Sequence, residues 1–159
     1  MAIYACYLPI FCFGIVIGIA PAHAAIQLQP GEWRTTETGT ENGKAVPPQV
    51  ETDCMTPEEA RDATNIVKEM RKQMTEQGGA QCQTFDIKQS GETVTFVMKC
   101  GTPQQFSFDI SGTYTFVSAT RYTGTMKSDV RVMGQRTSSD KKIEAVRVGE
   151  CKPGAGKKR

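Results

Sequence analysis

A chain of 159 residues with a formal net charge of +2 is long enough to bury one domain core. It lacks the clustered basic excess of a dedicated nucleic-acid binder. Its one histidine, His23, falls in a segment expected to be removed. The remainder therefore has no Ser-His-Asp or Cys-His catalysis and lacks the commonest metal ligand.

Residues Leu8 to Ala20 are almost entirely apolar, and Ala22-His23-Ala24 gives the small-x-small pattern of a signal-peptidase site. Residues 1–24 are read as a signal peptide cleaved after Ala24, although the first seven residues carry no Lys or Arg. The apolar run is shorter than the roughly 20 residues of a membrane span, so no transmembrane segment is expected after cleavage. Neither Cys6 nor Cys12 has the small-residue surroundings of a lipoprotein cleavage box. The expected location is the periplasm or the exterior of the cell.

Residues 25–151 read as a single disulfide-bonded, β-rich domain. The stretch Ile26 to Thr38 opens with apolar alternation, turns at Pro30-Gly31 and continues through Trp33 as a Thr-rich strand. Gly39 to Gly43 is a polar turn. Val46 to Cys54 is extended, because Pro47 and Pro48 exclude helix, and they suit an edge position. Thr56 then caps a helix, with Pro57 at its first position and Glu59 completing a Thr-x-x-Glu box. Ala60, Ala63, Val67, Met70 and Met74 form one apolar stripe down this single amphipathic helix, which Gly78-Gly79 ends.

From Gln83 the apolar period becomes two. Phe85 and Ile87 face Phe96 and Val94 in a hairpin turned at Ser90-Gly91. Phe106, Phe108 and Ile110 meet Tyr114 and Phe116 across Ser111-Gly112-Thr113. Arg121 to Met133 is a long strand, Gly134 to Asp140 a polar loop, and Ile143 to Val148 the last strand. The predicted fold is α+β and mostly β. It is an antiparallel meander of about eight short strands, closed as a small barrel or left as a curved sheet, with one helix and two disulfides. Residues 152–159 form a basic Pro/Gly/Lys tail, expected to be disordered and solvated at Lys157, Lys158 and Arg159.

Cys54, Cys82, Cys100 and Cys151 form an even set without Cys-x-x-Cys spacing, which favours structural disulfides over a redox or metal site. Of three connectivities, Cys82 with Cys100 and Cys54 with Cys151 fit the element order best. The register that matches the apolar faces sends Cys82 and Cys100 to opposite sides of the sheet. Their bond therefore requires a bulge or a frayed strand end near Gln83.

Chemistry-bearing groups are few. Asp53, Glu58, Glu59 and Asp62 cluster at a helix N-terminus, where capping explains them. Met70 and Met74 stand one turn apart, but on the apolar stripe, where Met fills core gaps. The threonines at 35, 36, 93, 95, 113, 115, 123 and 125 match ordinary strand propensity. No catalytic, cofactor-binding or metal-ligating residue is assigned, and no cofactor is expected.

The leading functional expectation is a non-enzymatic interaction or structural module of the cell envelope, its partner unspecified. The alternative is a carrier of a small apolar ligand, lined by Phe106, Phe108, Ile110, Tyr114, Phe116, Tyr122 and Met126. A two-carboxylate hydrolase would need Asp or Glu converging about 5–9.5 Å apart.

Leu28-x-Pro30-Gly31-x-Trp33 opens the domain, Cys54-Met55-Thr56-Pro57-Glu58 precedes the helix, and Cys82, Ser90-Gly91, Cys100, Tyr122-x-Gly124 and Gly149-x-Cys151 follow. This pattern resembles the domain-of-unknown-function 3617 family across residues 26 to 152. The resemblance implies a periplasmic location and a β-rich fold, with no catalytic residues to transfer.

Overall fold

The computed structural model describes residues 27–76, 78–102 and 106–152. The segment read as a signal peptide, and the tail beyond Lys152, lie outside them. Seven strands and two helices follow one another as β1 (Gly31–Glu41), β2 (Lys44–Met55), α1 (Pro57–Ala60), α2 (Asn65–Glu76), β3 (Gln81–Ser90), β4 (Thr93–Thr102), β5 (Phe106–Ser118), β6 (Arg121–Val132) and β7 (Gln135–Gly149). All strand pairs are antiparallel, in the spatial order β2-β1-β7-β6-β5-β4-β3. The sheet stays open, with β2 and β3 as its edges. Those edge strands are consecutive in the chain. The helical segment therefore crosses from one edge of the sheet to the other and covers one face.

The strands are longer than their apolar runs suggested. Three two-residue turns explain this. Asn42-Gly43 and Met133-Gly134 hold positive φ at both positions, 49° and 76°, then 48° and 83°, the twist that matches flanking antiparallel strands. Gly91 opens the third turn at φ 57°. The Met133-Gly134 turn pairs Val132 with Gln135 directly, so of the stretch expected as a polar loop from Gly134 to Asp140, all but Gly134 is strand. There Ser139 and Ser128 share a hydroxyl hydrogen bond of 2.8 Å.

The expected hairpin at Ser111-Gly112-Thr113 is instead the middle of one 13-residue strand, β5. Gly112 is not a turn residue. It sits opposite Phe96, and a Cβ there would come within 2.8 Å of that ring. A strand-interior glycine here marks close approach of a neighbour. Merging the two expected strands accounts for seven rather than about eight.

The β3–β4 hairpin turns at Gly91-Glu92, pairing Phe85 with Met98 and Ile87 with Phe96. This is two residues from the expected register and leaves the same side chains on the same face. Of the two irregularities expected near Gln83, a bulge is the one formed: the register shifts between Cys82 and Thr84, bringing Cys82 opposite Cys100. The two disulfides are Cys82–Cys100 and Cys54–Cys151. The second joins the end of β2 to the segment after β7.

The single expected helix is divided at residues 61–64. The Thr56 capping box is intact, with Glu59 N–H donating to the Thr56 hydroxyl and Thr56 N–H to the Glu59 carboxylate. A second cap then interrupts it. Asp62 accepts from the Thr64 N–H at 2.9 Å and from its hydroxyl at 2.7 Å, while Val67 and Lys68 donate to the Thr64 carbonyl. Short polar side chains that bond to nearby backbone compete with helix continuation. Both pieces still present the expected stripe: Ala60, Ala63 and Val67 are buried, and Met70 and Met74 pack against them.

The core lies between these helices and the covered face. Val67, Val94 and Met98 are fully buried, with Phe96, Tyr114, Phe116, Ile110 and Trp33 around them. Large and small residues alternate across the strands. Phe96 lies over Gly112, Tyr114 over Gly124, and Tyr122 beside the buried Ala145. The rings therefore meet in a chain, Phe96 to Tyr114 at 5.6 Å, Tyr114 to Tyr122 at 5.7 Å, and Tyr122 to Trp33 at 5.5 Å. Such contacts add to the burial of the rings themselves.

Candidate functional site

The seven residues expected to line a ligand cavity share one face of β5 and β6. Ile110, Tyr114, Phe116 and Tyr122 are buried in the core, while Phe106, Phe108 and Met126 are half-buried against it. Burial raises the Tyr114 hydroxyl well above the usual phenol range, with the neighbouring Tyr122 and Glu37 adding to the shift. That tyrosine stays protonated.

A smaller opening lies further along the same face, between α2 and the β1–β2 side of the sheet. This cleft of about 320 Å³ has Trp33 and Tyr122 as its floor and Met55, Ile66 and Met70 as its apolar wall. Glu37, Glu51, Asp53, Glu59 and Glu69 also line it. Two of those carboxylates are engaged. Glu37 pairs with Lys141 at 2.5 Å and Glu59 holds the helix cap. Among the described residues, Glu51, Asp53 and Glu69 enter no ion pair. Trp33 is fixed by its indole N–H, which donates to the Gln29 carbonyl at 3.0 Å.

The acidic cluster read from the sequence is thereby dispersed. Asp53 faces the cleft, Glu59 and Asp62 cap helices, and Glu58 is exposed. Burial acts to raise the Asp62 carboxyl pKa, but hydrogen bonds from Lys68 and Thr64 outweigh it and hold the group below the usual carboxylate range. Among the described residues, no group of three or more His, Cys, Asp or Glu converges as a metal site would. Met70 lines the cleft and Met74 packs on the core.

Among the described residues no helix lies on the opposite face of the sheet, and here the strand register produces an order that residue counting missed. Thr93, Thr115, Thr123, Glu144 and Thr36 stand directly across from one another on β4, β5, β6, β7 and β1. One pleat further, Thr95, Thr113, Thr125, Lys142 and Thr38 form a second row. Two parallel rows of hydroxyls thus cross five strands, interrupted only on β7 by one cation and one anion. A shallow hollow of about 450 Å³ lies over them, lined by Thr36, Thr38, Thr113, Thr115, Thr123 and Thr125 with Lys142 and Glu144. The signal for this surface was present as four Thr-x-Thr pairs, at 36, 93, 113 and 123. Exposed Val50, Val97, Val117 and Val148 stand on four different strands.

A family model described as protein of unknown function (DUF3617) matches residues 28–151. The chain belongs to the DUF3617 family. It is similar to two Salmonella proteins, from Salmonella typhimurium strain LT2 and Salmonella typhi, each described as uncharacterized protein YtgA. Both are 31% identical to it over 136 residues, spanning 79% of this chain and 80% of theirs. No solved structure matches the chain. For this DUF3617 member, the two disulfides fit a non-reducing, exported environment. Among the described residues, no helix is long and apolar enough to cross a membrane.

Proposed function

We propose that the protein is a non-enzymatic interaction module of the cell envelope. Its leader sends it to the periplasm, and it binds a macromolecule on the open face of its sheet. The observation that carries this reading is the division of labour between the two faces. Of the aromatic row that could have enclosed a ligand, Ile110, Tyr114, Phe116 and Tyr122 are buried in the core and the rest pack against it, while among the described residues the other face is uncovered. Threonine hydroxyls both donate and accept, so two in-register rows offer repeated polar contacts to an extended partner.

The test is site-specific photo-crosslinking in intact cells, with the crosslinker replacing Thr113 or Thr125, and exposed Lys72 on α2 as the control position. The expected result is one discrete macromolecular adduct from positions 113 and 125 and none from 72. Adducts absent from both face positions, or equal at all three, would overturn the reading.

The cleft under α2 supports a second reading, a carrier. An aromatic floor with free carboxylates at its rim suits a small ligand with an apolar body and a cationic group, since cations are attracted to the faces of aromatic rings. Native mass spectrometry of the protein from its own envelope, before and after denaturation, separates the two readings. A small molecule released on denaturation would favour the carrier, and a clean protein mass the interaction module.

A further inference from the structure

The two edges of the open sheet are built differently. Edge strand β2 contains Pro47 and Pro48, which have no N–H to offer, and its pairing with β1 is interrupted between Glu37 and Gly39. Such features blunt an edge against pairing with another chain. Edge strand β3 has no proline, and its outer side has no strand beside it among the described residues.

Its hydrogen-bonding phase follows from the turn. Ser90 pairs with Thr93 across the two-residue loop, so their N–H and C=O groups face each other, and the same holds at Lys88–Thr95 and Asp86–Val97. The Thr95 hydroxyl donating to the Lys88 carbonyl agrees with that phase. By alternation, the N–H and C=O groups of Phe85, Ile87 and Gln89 point outward from the sheet.

We propose that β3 is a homodimerisation edge, pairing antiparallel with β3 of a second copy about Ile87. In this register Ile87 exchanges both backbone hydrogen bonds with Ile87 of the second copy, and Phe85 does the same with Gln89 in each direction. That gives about six main-chain bonds. Between these rungs fall the closer, non-hydrogen-bonded positions, which place Asp86 opposite Lys88 of the second copy, twice by symmetry. Both side chains are exposed, both lie on the open face, and neither enters an ion pair among the described residues. On the covered face the half-buried Ile87 side chains meet across the dyad. The proline-blocked β2 edge stops this pairing from propagating, so the assembly closes at two copies.

The test is sedimentation of the oxidised protein across a concentration series, with single and paired charge reversals. The wild type is expected to show a monomer–dimer equilibrium. D86K or K88D alone puts like charges opposite each other in both pairs and is expected to weaken the dimer by about tenfold or more. Combining D86K with K88D restores opposite charges at both pairs and is expected to return the dissociation constant to near the wild-type value. Ile87→Pro removes an outward N–H that takes no part in the β4 ladder, and is expected to leave a folded monomer by circular dichroism. A wild type that stays monomeric throughout the series would overturn the proposal. So would a dimer indifferent to the single reversals.

Discussion

The ring of Phe96 on β4 lies against Gly112 on β5 so closely that no side chain fits there. A Cβ at that glycine would stand 2.8 Å from the ring and 2.5 Å from the Thr125 carbonyl oxygen. The same arrangement recurs one strand on, where a Cβ at Gly124 would meet Tyr114 at 2.6 Å. The aromatic chain from Phe96 to Trp33 therefore depends on missing side chains as much as on present ones.

Gly112→Ala is expected to destabilise by about 1–3 kcal/mol, the usual range for overpacking. The obstruction includes backbone, which cannot swing aside as a flexible side chain would. Thermal melts of this variant beside Gly43→Ala provide the check. Nothing lies within 4 Å of a Cβ at Gly43, and its cost should come from its φ of 76° rather than from packing. A Gly112→Ala protein as stable as the wild type would show that the Phe96 ring is not held where described.

Val67 is the fully buried residue through which α2 contacts the sheet core. Val67→Ala is expected to cost roughly 1–3 kcal/mol through lost burial and a residual cavity. Val67→Asp should prevent α2 from docking, because an unpaired charge would then be buried. Denaturant titration gives the first number. Loss of protease resistance between residues 57 and 80 reports the second.

The two disulfides close loops of very different length, 97 and 18 residues apart in sequence. In the chain-entropy model the longer gives roughly 4–5 kcal/mol and the shorter about 3 kcal/mol. Replacing Cys54 and Cys151 together by Ser should therefore lower stability more than replacing Cys82 and Cys100. Equal losses in denaturant titrations would argue against loop closure as the main contribution.

Asp62 sets an acid-side pH dependence. Its folded carboxyl titrates below the unfolded value, because the bonds from Lys68 and Thr64 outweigh burial. Its stabilisation is therefore present above the unfolded carboxylate pKa of about 3.9 and is lost as pH falls through the lower folded value. The group is substantially exposed, so Asp62→Asn should cost about 1 kcal/mol or less at neutral pH. The gap between wild type and variant should stay constant from pH 5 to 8 and close in stronger acid. A gap that widens in acid would reverse the assigned sign.

Much of the fold was legible because local rules and global packing agree. The period-two runs placed Phe85, Ile87, Val94, Phe96 and Met98 on one face, and the helical stripe from Ala60 to Met74 matches the packed residues. The conflict between apolar register and the Cys82–Cys100 pair placed an irregularity near Gln83, and the register shift between Cys82 and Thr84 makes it a bulge. What misled was glycine and short polar residues, whose meaning depends on neighbours far along the chain. Ser111-Gly112-Thr113 has turn composition, yet Phe96 makes it strand. Asp62 and Thr64 have ordinary helix-surface composition, yet their mutual bonds divide the helix. The threonine rows were invisible as a surface because only the register sums of five strands bring them side by side.

The most direct test of the interaction-module reading is a methyl NMR titration of protein labelled at Thr, Ile and Met, using fractionated envelope extract. Shifts concentrated at Thr93, Thr95, Thr113, Thr115, Thr123 and Thr125 are the expected result, with Ile66, Met55 and Met70 in the cleft unchanged. Shifts confined to the three cleft residues would contradict the claim and make the protein a carrier.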